Sequence, residues 1–158
     1  MMQNKLSYDV AVIGGGPAGL AAAAAASKAG VKRVAVIERD ARIGGILLQC
    51  IHPGFGLNYF HEELTGPEYA ERFRALAIEQ KVDFLTDTTV LSIGEKQLTV
   101  INPRRGISTI EVGAVVLAMG CRERTRGAIR IPGTRPAGIY TAGAAQRLVN
   151  RQNLMIGH

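Results

Sequence analysis

The hydrophobic and polar positions change period along the chain, and each change marks an element. Tyr8 to Ile13 is a short β-branched run that ends at glycine, the pattern of a buried parallel strand. A helix follows. Pro17 falls in its first turn, where a missing N–H is tolerated, six alanines carry it, and Gly30 can take the left-handed position that ends it. The apolar run Val34 to Ile37 then stops at Glu38, which completes a strand–helix–strand unit. After an irregular, Gly-rich stretch from Ile43 to Leu64, Thr65-Gly66-Pro67-Glu68 has capping-box spacing, and Tyr69, Phe73, Leu76 and Gln80 mark one helix face whose aromatics belong to the core.

Val82 to Leu85 reads as a strand, and three alternating strands follow at Thr88 to Ile93, Gln97 to Ile101 and Ile107 to Val112. The last two are joined by a turn at Asn102 to Gly106. Ala114 to Ala118 forms a further apolar strand, closed by Met119-Gly120. An Arg-rich connector, Cys121 to Gly138, leads to a short strand at Ile139-Tyr140 and a helix from Ala142 to Val149. The fold class predicted is α/β: a Rossmann-like domain with a parallel central sheet and a three-stranded β-meander.

Composition narrows this picture. At 158 residues the chain is about one domain, and 47% hydrophobic with 20% charged residues is near the globular average. The 19 glycines imply sharp turns or close approach of backbone to a ligand. The uncharged stretch Val10 to Ala26 could pass for a targeting or membrane segment. However, Asp9 abuts it and Gly14-Gly15-Gly16-Pro17 interrupts it, while alanine and glycine are too weakly apolar to span a bilayer. No membrane insertion is expected.

The net charge of +6 raises the question of an anionic partner, but the basic residues are scattered outside Arg122 to Arg135 and no aromatics interleave with them, so nucleic acid is not expected. Cys50 and Cys121 fall in neither CxxC nor zinc spacing, which suits a reducing, cytoplasmic setting. His52, His61 and His158 are too dispersed for a metal site.

Gly14, Gly16 and Gly19 make GxGxxG directly after a strand and before a helix. In that setting the first glycine permits the turn, the second lets a pyrophosphate approach the backbone, and the third lets the helix pack close to the sheet. First-turn N–H groups and the helix dipole then face the diphosphate. Glu38, about 20 residues on, can accept hydrogen bonds from an adenosine ribose. NAD and FAD fit these features equally. Gly44-Gly45, which would bring a second stretch of bare backbone against the ligand, favours FAD.

GGGPAG at Gly14 to Gly19, ERDARIGG from Glu38, TTVLSI from Thr88 and VVLAMG from Val115 resemble the two-dinucleotide-binding flavoproteins, the FAD/NAD(P)-dependent pyridine nucleotide-disulphide oxidoreductase superfamily. Met119 stands where that superfamily usually has threonine. Carried over, Gly14, Gly16, Pro17, Ala18 and Gly19 would line the pyrophosphate, Glu38 and Arg39 the adenosine, and Gly45 the pyrophosphate or ribityl side. Val90 would meet the adenine edge through its backbone, and Ala118 with Gly120 would form the crossover to the connector. No catalytic side chain is assigned, because the flavin performs the redox chemistry.

GGILLQCIHPGFG from Gly44, and the stretch from Cys121 to Asn150, are similar to flavoproteins that accompany glycerol-3-phosphate dehydrogenases and to sarcosine and opine oxidase α-subunits. The resemblance implies an FAD-dependent oxidoreductase acting between a small amine, amino acid or polyol, or NAD(P)H, and flavin, with a partner dehydrogenase subunit. Disulphide reductases of the superfamily carry CxxxxC after the Gly-Gly pair; here Phe55 stands where the second cysteine would fall, so dithiol catalysis is not expected. Gln49 or Cys50 could face the flavin or pack the loop, and Arg122, Arg124 and Arg126 could meet an anion or lie in a solvated connector.

Residues 1–150 are expected to form an FAD-binding domain that lacks its return segment, and Leu154 to Gly157 to open a truncated NAD(P)-binding domain at 151–158. Such a piece would have poor activity and weakened FAD affinity. Two other readings stay open: a non-catalytic assembly module of a heteromeric dehydrogenase, and an NAD-dependent dehydrogenase domain.

Overall fold

The structure, a computed structural model, describes residues 6–157. Strands β1 (Ser7–Ile13), β2 (Val34–Ile37), β3 (Asp83–Leu85), β4 (Thr89–Ile93), β5 (Gln97–Asn102) and β6 (Gly106–Leu117) form one sheet in the order β3-β2-β1-β6-β5-β4. The first four in that order run parallel, and β4, β5 and the first half of β6 are antiparallel. The expected fold class is therefore observed. Helices α1 (Pro17–Lys28), α2 (Gly66–Glu79) and α3 (Ala142–Gln152) complete it, with a short 3₁₀ helix at Gly45–Gln49.

Alternation along β1 and β2 divides the core. Ala11, Ile13, Ala35 and Ile37 meet Leu98, Val100, Ile110 and Val112 of the meander on one face. On the other, Val12, Val34 and Val36 meet Ala23 of α1 and Ala77 of α2. Covering both faces explains why β1 and β2 read as continuous apolar runs. The small side chains of α1 let it lie close to β1, where Leu20 and Ala23 are fully buried.

Three sequence expectations need correction. Ile107–Val112 and Ala114–Ala118 are not separate strands but halves of β6, which pairs with β5 through Gly106–Glu111 and with β1 through Glu111–Leu117. Gly113 does not break the strand. A Cβ there would lie 2.7 Å from the Asp9 carbonyl oxygen, so this glycine marks a close approach of two backbones. Ile139-Tyr140 forms no strand; both side chains are exposed and Gly138 turns the chain immediately before them at φ +87°. The last helix continues past Val149 to Gln152, where Asn153 stops it in the left-handed region, and Leu154–Gly157 have no regular secondary structure.

α2 begins with the expected capping box: the Thr65 side chain accepts from the Glu68 N–H, and the Glu68 carboxylate accepts from the Thr65 N–H at 2.7 Å. Tyr69 and Phe73 join Tyr59 and Phe60 in an edge-packed aromatic cluster, with ring centroids 4.9–5.6 Å apart. Phe73 is buried, whereas Gln80 of the predicted face is exposed. This cluster anchors the Gly-rich segment between the 3₁₀ helix and α2.

Candidate dinucleotide-binding groove

The carboxyl ends of β1, β2 and β6 meet at one point, where the sheet order reverses around β1. Their backbones are cross-linked there: the Gly14 N–H donates to the Ile37 carbonyl, the Ala118 N–H to Ile13 and the Glu38 N–H to Leu85, each at 2.9 Å. Gly14 follows β1 at φ +107°, and a Cβ on it would lie 2.3 Å from the Ala118 carbonyl oxygen. A Cβ on Gly19 would lie 1.8 Å from the Gly14 carbonyl oxygen. Both positions need glycine for reasons internal to the fold: one for the turn, the other for helix-to-strand contact.

Gly16 differs. It is the residue before α1, with φ −77° and no side-chain cap, and a Cβ there would meet no atom within 4 Å. The α1 N-terminus therefore opens into free space, with its first N–H groups lacking intrahelical acceptors. Gly45 backs this opening from behind. A Cβ on it would touch the Gly16 Cα at 3.0 Å, and the Gly44 N–H donates to the Gly15 carbonyl at 2.6 Å. Ala18 is exposed and Pro17 half-buried at the rim. Two runs of bare backbone thus lie against each other, with room for a ligand on the solvent side.

Glu38 sits at the end of β2, only 9% exposed. One carboxylate oxygen accepts from the Gly15 N–H at 2.8 Å and the other from the Asp40 N–H at 2.9 Å, which holds the charge toward the glycine turn. Each oxygen retains a further lone pair able to accept a hydroxyl. Gly15, an x position that GxGxxG spacing leaves unassigned, takes part in this geometry. Its N–H orients the acid, and a Cβ there would lie 2.9 Å from Ile43.

The other sequence-predicted residues spread outward from this centre. Arg39 is exposed beside Glu38. Val90 is half-buried on the edge strand β4 and packs against the meander core, just past Thr88, whose N–H donates to the Glu38 carbonyl. Ala118 and Gly120 follow β6 beside Gly14, Gly120 at φ +68°. Two clefts of about 480 and 570 Å³ lie elsewhere, one between β3 and the meander hairpin and one between α2 and Ala41–Ile43; neither is lined by the glycines of the turn.

Gln49 and Cys50 do not reach into the groove. Gln49 is buried and donates its side-chain N–H groups to α3, and the Cys50 thiol is half-buried against the Ile46 carbonyl. Phe55 pairs with Leu64 in an isolated bridge. Arg126 donates to the Pro132 and Gly133 carbonyls and so braces the connector, while Arg122 and Arg124 are exposed. Glu123 accepts from the Gly143 N–H at 2.7 Å; its hydrogen bond with Thr141, with those from Gly143 and Ala144, holds its carboxyl below the usual glutamate range. Among the described residues no three His, Cys, Asp or Glu side chains converge, and His158 lies outside them. No described helix is long and apolar enough to cross a membrane.

Known proteins are similar to this chain. One subunit of the opine oxidase of Agrobacterium tumefaciens (strain Ach5) is 35% identical over 153 residues, covering 88% of this chain and 28% of the relative. Hydrogen cyanide synthase subunit HcnB of Pseudomonas protegens is 29% identical over 148 residues, 89% of this chain and 30% of the relative. The structure of L-proline dehydrogenase from P. horikoshii superposes with a TM-score of 0.77 at 24% identity, over 97% of this chain and 30% of that one, which shows a shared fold. The chain thus spans less than a third of the length of these relatives. The sequence pattern of one family, described as pyridine nucleotide-disulphide oxidoreductase, matches residues 8–155. With a match that runs from β1 through α3, the chain belongs to the pyridine nucleotide-disulphide oxidoreductase family.

Proposed function

We propose that this chain is the FAD-binding portion of an FAD-dependent oxidoreductase that moves electrons between a small substrate of the amine, amino acid or polyol class, or NAD(P)H, and flavin. The observation that carries this reading is the free space over Gly16, bounded by the α1 N-terminus, by Gly45 and by a buried Glu38. The fit of residues to cofactor is good: two glycine runs leave backbone bare where a diphosphate needs it, and the buried acid at the turn is held where a ribose diol would arrive. Bound FAD would supply the two-electron redox chemistry.

The chain's own residues bind and orient. Gly16, Ala18 and Gly19 offer N–H groups to the diphosphate, Gly44 and Gly45 close its other side, and Gly14 sets the turn. Glu38 accepts from the ribose, Arg39 flanks the adenosine, Val90 offers backbone to the adenine edge, and Ala118 with Gly120 lead toward the connector. Residues 1–150 act as this binding unit and 151–158 lead into a nicotinamide-binding part. Two free cysteines suit a cytosolic site of action.

A partner subunit is part of the proposal. Ile129, Ile131, Ile139 and Tyr140 of the connector are each about half exposed, apolar surface that a partner subunit would cover. Relatives named as subunits of opine oxidase and hydrogen cyanide synthase support that reading. Titration calorimetry with FAD and FMN tests the cofactor assignment. FAD, which carries adenosine diphosphate, should bind with one-to-one stoichiometry and FMN should not; equal affinity for both would overturn the assignment.

A further inference from the structure

We propose that α3 is a strap that fixes the Gly44–Gly45 backbone against the glycine turn, with Gln49 as its positioning residue; this rests on the cofactor reading above. The contacts are specific. Gln49 Nε2 donates to the Gly143 carbonyl at 3.1 Å and to Gln146 Oε1 at 2.9 Å, and Asn150 Nδ2 donates to the Gln49 carbonyl at 2.8 Å. Arg147 and Arg151 lie 3.3 and 3.7 Å from Asp40 Oδ2. Gln49 is 5% exposed, so an unbonded amide there would be costly.

Gly143, Gln146, Arg147, Asn150 and Arg151 recur at the i, i+3, i+4, i+7, i+8 positions of one helix face. All five reach the segment between Asp40 and Gln49, and every one of these contacts is polar. α3 buries no residue fully, so hydrophobic packing does not explain where it sits. Its two attachment points flank Gly44-Gly45. At one end Asp40 is also tied to Glu38 and Asp87, and at the other Cys50 accepts from the Gly66 N–H. Between them the Gly44 N–H reaches Gly15. A helix that grips both ends of a short segment sets the position of its middle, which is the wall of the groove.

Hydrogen exchange on the full chain, followed at the bonded amides of Gly44, Leu47 and Cys50, tests the strap without cofactor. FAD titration of the same proteins tests its consequence. Gln49→Met keeps the side-chain length but removes the donor, and Gln146→Ala/Asn150→Ala removes the partners from the exposed side. Both should speed exchange at the three amides at least tenfold, leave β1 and β2 amides unchanged, and raise the FAD dissociation constant at least fivefold. Arg33→Ala, at the opposite end of the sheet, should change none of these.

Unchanged exchange at the three amides in both variants, or equal acceleration throughout the sheet, would overturn the strap. If exchange responds as expected while the native chain binds no FAD, the strap stands and the cofactor assignment falls; if FAD binds and exchange does not respond, only the strap falls.

Discussion

At the scale of single residues, the glycines of the turn have different physical reasons for being glycine. Gly14 and Gly19 are fixed by backbone carbonyls that a Cβ would strike at 2.3 and 1.8 Å. Gly19→Ala should therefore lower stability by about 1–3 kcal/mol or more, measured by denaturant unfolding, because neither backbone can retreat without moving β1. Glu38→Ala leaves the buried Gly15 N–H without its acceptor and should cost about 1–3 kcal/mol even with no ligand present. The glycines and Glu38 were legible in the sequence because strand, turn, helix and acid occur in a fixed order within one βαβ unit. Gly15 and Gln49 were not. The role of Gly15 depends on where the Glu38 carboxylate points, and the partners of Gln49 lie more than 90 residues away, beyond the reach of any local pattern.

At the scale of elements, β1, β2, α1 and α2 followed from periodicity and capping chemistry, since each is specified by neighbours in sequence. β6 did not, because its length depends on two different partners, one antiparallel and one parallel. The cap of α2 is testable: Thr65→Ala should lower stability by about 1 kcal/mol. Hydrogen bonds with Thr65 hold the Glu68 carboxyl below its ordinary range, and Glu123 of the connector, bonded to the first turn of α3, is lowered by Thr141 and Gly143 in the same way. A carboxyl depressed by folding stabilises the native state above its unfolded value and loses that contribution as pH falls. Helix content measured by circular dichroism should therefore decline as pH drops below about 4.3, and Glu68→Gln should flatten that decline.

For the whole molecule, the sheet is the common floor of two core layers, and Leu98 of β5, fully buried, ties the meander to β1 and β2. Leu98→Ala should lower stability by about 2–5 kcal/mol in the same unfolding measurement. Tyr8 packs in that layer, and burial, reinforced by the Asp83 carboxylate, pushes its phenol up to about 12. Its contribution is intact below the unfolded value near 10 and is lost as pH rises from there toward 12. These effects concern folding and leave the groove untouched, so they separate stability from binding. Gly16→Ala does the reverse. Its backbone angles suit alanine and its Cβ would stand in the open space over the turn. The FAD dissociation constant of Gly16→Ala against the native chain, with melting curves of both, is thus the most direct test. FAD bound in this groove predicts at least a tenfold weaker complex at an unchanged melting temperature, whereas equal affinity in the two proteins would contradict it.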